Sequence, residues 1–249
     1  MLMKATNLEK LTFEANDGEM GKVKNLYFNF KDYVIRYITV ESAKWFPDQI
    51  IYISTSAIES IDFENKRIKV NHTKEELQKN ASVKRESDMN ADMEQKMAKM
   101  MNWNPRWWEK EENSSSSSYA HSPVDAKTGV SIADKTDKLI SINEMKGIFN
   151  NANVMAGNEK MGNIADFIIE EQTWRIRYFL INSGNWSTHP YVLVSPDWIS
   201  SIDWDNDKIY VDMTLDGIER GPIYKRGDEI TRKFEEKLYK TYRKRPYWV

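Results

Sequence analysis

The chain has 249 residues, a net charge of −2 and no cysteine. Without cysteine there are no disulfides, no thiolate metal sites and no cysteine nucleophile, and an even, nearly neutral charge distribution argues against nucleic acid, whose phosphates call for a basic excess. The first ten residues have no apolar signal-peptide core and no run approaches about 18 apolar residues, so the expectation is a soluble, cytoplasmic protein.

In chain order, Leu11 to Ala15 alternates weakly and ends at the turn cluster Asn16-Asp17-Gly18. A second strand is expected over 21–28. A third is expected over 33–41, apolar on both faces with Arg36 in its middle, which suits a small closed sheet with something packed outside it. After the loop Trp45-Phe46-Pro47-Asp48 comes the short apolar run 50–53. Residues 58–63 and 67–70 flank Glu64-Asn65-Lys66 as a hairpin, with Asn65 expected to take the left-handed conformation. Thr73 and Glu76 have capping-box spacing. Residues 88–101 predict a helix with Met89, Met93, Met97 and Met100 as its packed stripe, followed by Pro105-Arg106-Trp107-Trp108. Five or six short strands with tight turns point to a small barrel.

Residues 109–141 open with charges, run through five serines and hold few large apolar residues. Such a stretch cannot bury enough surface to offset the entropy of ordering, so a flexible linker is expected.

The second half then repeats the first at a fixed offset of 141 residues. Tyr33 to Val40 falls on Trp174 to Ile181, Met20-Gly21 on Met161-Gly162, Trp45 on Trp186 and Ile61-Asp62 on Ile202-Asp203. From Met20 to Thr73, 16 of 54 positions are identical to their partners without a gap. That is an internal duplication. It sets two units, 1–108 and 142–249, with barrels at 8–72 and 149–213, helical tails at 73–108 and 214–249, and 109–141 between them. In the second tail, residues 228–244 place Ile230, Phe234, Leu238 and Tyr242 on one side, ahead of Pro246-Tyr247-Trp248. Twofold pairing is the commonest symmetry, so the two units are expected to pair within one molecule, and a further homo-oligomer is left open.

The search for chemistry finds no catalytic set. His72, His121 and His189 are scattered and do not recur in register, and no pair has metal-ligand spacing. No phosphate loop or dinucleotide fingerprint is present. Neither an enzyme nor a cofactor is expected. Ser54 and Ser195 recur as strand-end hydroxyls that satisfy backbone groups. Arg36 and Arg177 recur mid-strand, where a buried guanidinium needs a partner, and Asp62 and Asp203 are the expected carboxylates. A residual reading makes Arg36 and Arg177 an anion-binding groove. The repeated aromatics Trp45 and Trp186, and Trp107 and Trp248, are the expected protein contacts, with sealing of the barrel ends as their plain structural role.

These motifs together resemble the PRC-barrel family. The second copy is the closer match, through Gly162-Asn163-Ile164, Trp174 to Ile181, Val192 to Ile199, Ile202-Asp203-Trp204 and Ile209 to Asp212. The first departs with Tyr33 for Trp, Thr55 for Pro and Phe63 for Trp. The family includes the barrel of the photosynthetic reaction-centre H subunit and the C-terminal domain of a ribosome maturation factor. The resemblance implies a barrel that binds other proteins. The expected function is a non-catalytic interaction or scaffold protein. The alternatives are a small-ligand or anion binder using the cleft between barrels, and a ribosome- or RNA-associated factor.

Overall fold

The computed structural model describes residues 1–41, 45, 47, 49–84, 89–105, 123–131, 139–148, 153–184 and 188–249. The first half contains β1 (Leu2–Lys4), α1 (Ala5–Leu8), β2 (Thr12–Ala15), β3 (Gly18–Phe28), β4 (Ile35–Glu41), β5 (Ile50–Ser54), β6 (Ile58–Asp62) and β7 (Arg67–Val70). It closes with α2 (Lys74–Asn80), β8 (Ser82–Val83) and α3 (Ala91–Met101). Then come β9 (Val124–Asp125), β10 (Ile140–Ser141), α4 (Ile142–Ile148), β11 (Asn153–Ala156), β12 (Glu159–Glu170), β13 (Ile176–Asn182) and β14 (Tyr191–Val194). The chain ends with β15 (Ile199–Asp203), β16 (Lys208–Val211), α5 (Leu215–Glu219) and α6 (Arg232–Tyr242).

The protein is mainly β, built on two eight-stranded sheets. One runs β6-β7-β2-β3-β4-β5-β8 with β10 added to β3, the other β14-β13-β12-β11-β16-β15-β9 with β1 added to β12. Neighbours are antiparallel except β2 with β7, β11 with β16, and β9 with β15. The central strand β4 is built of β-branched and aromatic residues, and Ile35, Tyr37, Ile38, Thr39 and Val40 are all buried, so both faces are covered as the sequence predicts.

Each tail helix has a signalled start and stop. The Asn90 side chain accepts from the Met93 N–H and the Thr231 side chain from the Phe234 N–H, which satisfies helix-start donors. Both helices end at a left-handed residue, Asn102 and Arg243. The capping box of Thr73 and Glu76 is fully formed, each side chain accepting from the other's backbone N–H. The packed stripe of α3 turns through Met97 and Met101, whereas Met100, expected on it, is half exposed.

The two units exchange their leading segments. β1 pairs with β12 of the other half, Met3 opposite Ile169, and β10 pairs with β3, Ile140 opposite Phe28. A bulge residue on each receiving strand caps the arriving helix. Asp166 accepts from the Thr6 N–H and hydroxyl at 3.2 and 2.5 Å, and the Asn25 side-chain oxygen accepts from the Asn143 N–H at 3.3 Å. Lys146 on α4 then reaches Glu9, at the end of α1, at 3.0 Å. An aromatic cluster joins the sheets, with Phe28 6.4 Å from Phe167 and Tyr33 6.3 Å from Phe179 between ring centres.

Three local expectations change. The third strand begins at Ile35, because Tyr33 has φ 54 and turns its carbonyl to the other unit. In the hairpins the left-handed residues are Lys66 and Asp207, one position after Asn65 and Asn206. The asparagines instead donate from backbone and side chain to Asp62 and Asp203. Within the expected linker, residues 123–131 and 139–141 supply β9 and β10, since short apolar segments there find open strand edges. The serine run lies outside the described residues.

Candidate functional site

The repeated arginines do not bond the expected aspartates. Arg36 pairs with Asp32 at 3.1 Å and lies 3.7 Å from Glu94 on α3. Arg177 pairs with Glu170 at 2.6 Å, and its guanidinium stacks over the Tyr247 ring at 3.9 Å. Asp62 and Asp203 sit at surface hairpin turns, both oxygens taken by the neighbouring asparagine. The Asn65 backbone N–H, then its side chain, hold Asp62 below the usual carboxylate range, and Asn206 does the same for Asp203, its side chain first. The strand register carries Arg36 and Arg177 toward the tail helix, away from the turn.

What sequence reading missed is a glutamate on each tail helix, Glu94 beside Arg36 and Glu235 beside Tyr178, again 141 residues apart. Both are buried, at 6% and 2% exposure. Glu235 accepts from the Tyr178 hydroxyl at 2.7 Å and the Tyr247 hydroxyl at 3.0 Å, and pairs with Arg232 at 3.1 Å. Burial and then the neighbouring Tyr239 and Glu235 push the Tyr178 hydroxyl well above its ordinary pKa. In the first unit burial and then Glu94 do the same to Tyr37. A recurring tyrosine and glutamate thus lie between each sheet and its tail helix, with Arg36 of the strand beside Glu94 in the first unit and Arg232 of the helix itself beside Glu235 in the second. The recurrence was visible in the sequence, but a glutamate on an amphipathic helix reads as solvent-facing.

The aromatics divide. Trp45 is exposed at 42% with Lys74 over its ring at 4.1 Å. Trp248 packs edge-on against Tyr239 at 5.1 Å and carries the Arg232 guanidinium over its own ring at 4.0 Å. Trp107 and Trp186 lie outside the described residues. Two histidines are tied into the fold: His72 Nε2 accepts from the Trp103 indole N–H at 3.0 Å, and His189 Nε2 lies 3.1 Å from the Gly221 carbonyl. Ser54 accepts from the Ser56 N–H, as a strand-end hydroxyl should. Among the described residues no group of three histidines or carboxylates is placed to hold a metal.

Between the units lies a cleft of about 320 Å³, walled by Val34, Ile58 and Ile61 from one and Trp174 from the other. Among the described residues its charged lining groups are Glu59 and Glu171, and neither Arg36 nor Arg177 lines it. That charge is the wrong sign for the anion groove considered from the sequence. Glu171 itself lies 3.8 Å from the N-terminal amine.

A family model for the PRC-barrel domain matches the chain twice, at residues 9–77 and 149–216. No curated protein matches it. No described helix is long and apolar enough to cross a membrane.

Proposed function

We propose, because the chain belongs to the PRC-barrel domain family in both of its repeats, that it is a non-catalytic scaffold whose paired units bind another protein. The observation that carries the reading is the fate of the repeated ionisable groups. Arg36 with Glu94, Tyr178 with Glu235, and Arg177 stacked on Tyr247 are spent on holding the tails to the sheets. Among the described residues, the surface features that suit a partner include the exposed Trp45 and the cleft between the units. The working units are 1–108 and 142–249, joined by 109–141, and the site of action is the cytoplasm.

The test is an affinity capture from native lysate with the intact chain as bait, against a bait carrying Trp45→Ala and against each unit alone. One protein retained at physiological salt by the intact chain supports the scaffold reading, and loss in the single units places its site where they meet. A nucleic acid or small metabolite recovered in place of any protein overturns it.

A further inference from the structure

The two sheets differ at one edge. In the second, β15 is covered on its outer side by β9, which runs parallel to it with Val124 opposite Ser201 and Asp125 opposite Ile202, and the Ala126 N–H donates to the Ile202 carbonyl at 2.9 Å. The segment is shaped for this. The Asp125 carboxylate accepts from the Thr128 N–H and hydroxyl, both at 2.8 Å, and Lys127 reaches Asp205 at 2.9 Å. In the first sheet the same edge is β6, and among the described residues no strand pairs with its outer side.

Burial records the difference residue by residue. Ile199 and Ile202 are 0% exposed. Their equivalents Ile58 and Ile61 are half-buried, and Ser60, equivalent to Ser201, is exposed. The cleft between the units opens along this edge, lined by Ile58, Glu59, Ser60 and Ile61. Glu64 stands in the first unit where Asp205 receives Lys127 in the second. An edge strand presents unpaired backbone groups, and an extended peptide can satisfy them by joining the sheet.

We propose that β6 is a receiving edge for a parallel strand from a protein partner. The strand is an extended segment with a small β-branched residue opposite Ser60 and a basic residue three positions later to meet Glu64. The inference rests on the scaffold reading and names the chemistry of its partner. The chain's own Pro123–Ser131 segment is the pattern for that strand, since it fills the equivalent edge.

The test is an amide chemical-shift titration of the isotopically labelled full chain with a synthetic peptide of the 123–131 sequence. Saturable shifts at Ser60, Ile61 and Trp174 are expected. Glu64→Lys, at an exposed hairpin turn, weakens binding by about tenfold or more, and a peptide carrying K127E restores it. Ile61→Glu weakens binding of both peptides. Absence of shifts at about millimolar peptide overturns the proposal, as do shifts confined to Ser201 and Ile202, which mean displacement of β9. Slow hydrogen exchange of the Ile61 amide in the free chain also overturns it, because Ile61 is the equivalent of Ile202, whose backbone faces the added strand, and the edge is then already covered. A captured protein partner retained equally by parent and Glu64→Lys chains would remove this groove while leaving the scaffold reading intact.

Discussion

Val34 and Arg175 bridge each other in an antiparallel pair, although they occupy the same position in the two repeats. The Ile35 N–H donates to the Trp174 carbonyl and the Ile176 N–H to the Tyr33 carbonyl, each at 2.8 Å. A position can face its own equivalent this way only across a twofold axis. The duplicated chain is therefore its own dimer, with an axis between the starts of β4 and β13 and with exchanged arms on either side of it.

The arms make an unequal pair of caps. Asp166 is fully buried and takes three bonds, from the Thr6 N–H and hydroxyl and from the Phe167 N–H. Asp166→Ala orphans those donors and is expected to cost about 2 kcal/mol in urea unfolding. Asn25→Ala removes neutral bonds only and costs about half as much.

Gly162 lies in the repeated Met-Gly pair that opens the receiving strand. It has φ +153, and a Cβ there would stand 2.0 Å from the Asn182 carbonyl oxygen. Gly162→Ala is expected to cost roughly 3 kcal/mol or more. Gly157→Ala, with φ +62 and nothing nearby, should cost only about 1 kcal/mol. Thermal unfolding of the two variants side by side checks the contrast.

Glu235 tests the clamp. Glu235→Ala strips the acceptor from Tyr178 and Tyr247 and leaves Arg232 without its ion pair, an expected loss of about 3 kcal/mol or more. Glu235→Gln keeps an acceptor for the two hydroxyls and should recover part of that loss. Equal stability of all three proteins in denaturant would contradict a clamping role.

The fold was legible because a duplication shows every periodic signal twice, so that strands weak in one copy, such as Val23 to Leu26, are supported by Ile164 to Phe167 in the other. The Thr73 capping box was legible too, since it depends on local spacing. The partners of Arg36 and Arg177 were not, because contact across a sheet depends on which way the tail helix lies. Nor were the exchanged arms, because β1 and β10 are only three and two residues long and take their structure from the strand that receives them. The left-handed Tyr33 and Trp174 were hidden in the same way, since aromatic residues rarely adopt that conformation alone and here are held in it by packing at the axis.

Asp197 gives a pH dependence with a definite sign. Burial raises its pKa to about 6, against the opposing pull of Arg175 and Arg177. The native state therefore binds more protons than the unfolded chain between its ordinary value of 3.8 and about 6, and its contribution to stability is lost as pH rises through that window. Asp197→Asn does not titrate. The gain in Tm of this variant over the parent is expected to grow from pH 4 to pH 6, both points being about the edges of the window, and to stay level above it.

The central claim is that two units make one protein through reciprocal contacts at the axis. It is tested most directly by inserting a protease site in the serine run 114–118, cutting the folded chain and measuring the mass in solution by size exclusion with light scattering. The account predicts that the two halves stay together at the mass of the uncut protein and separate only as they unfold. Two folded fragments eluting apart in native buffer would contradict it.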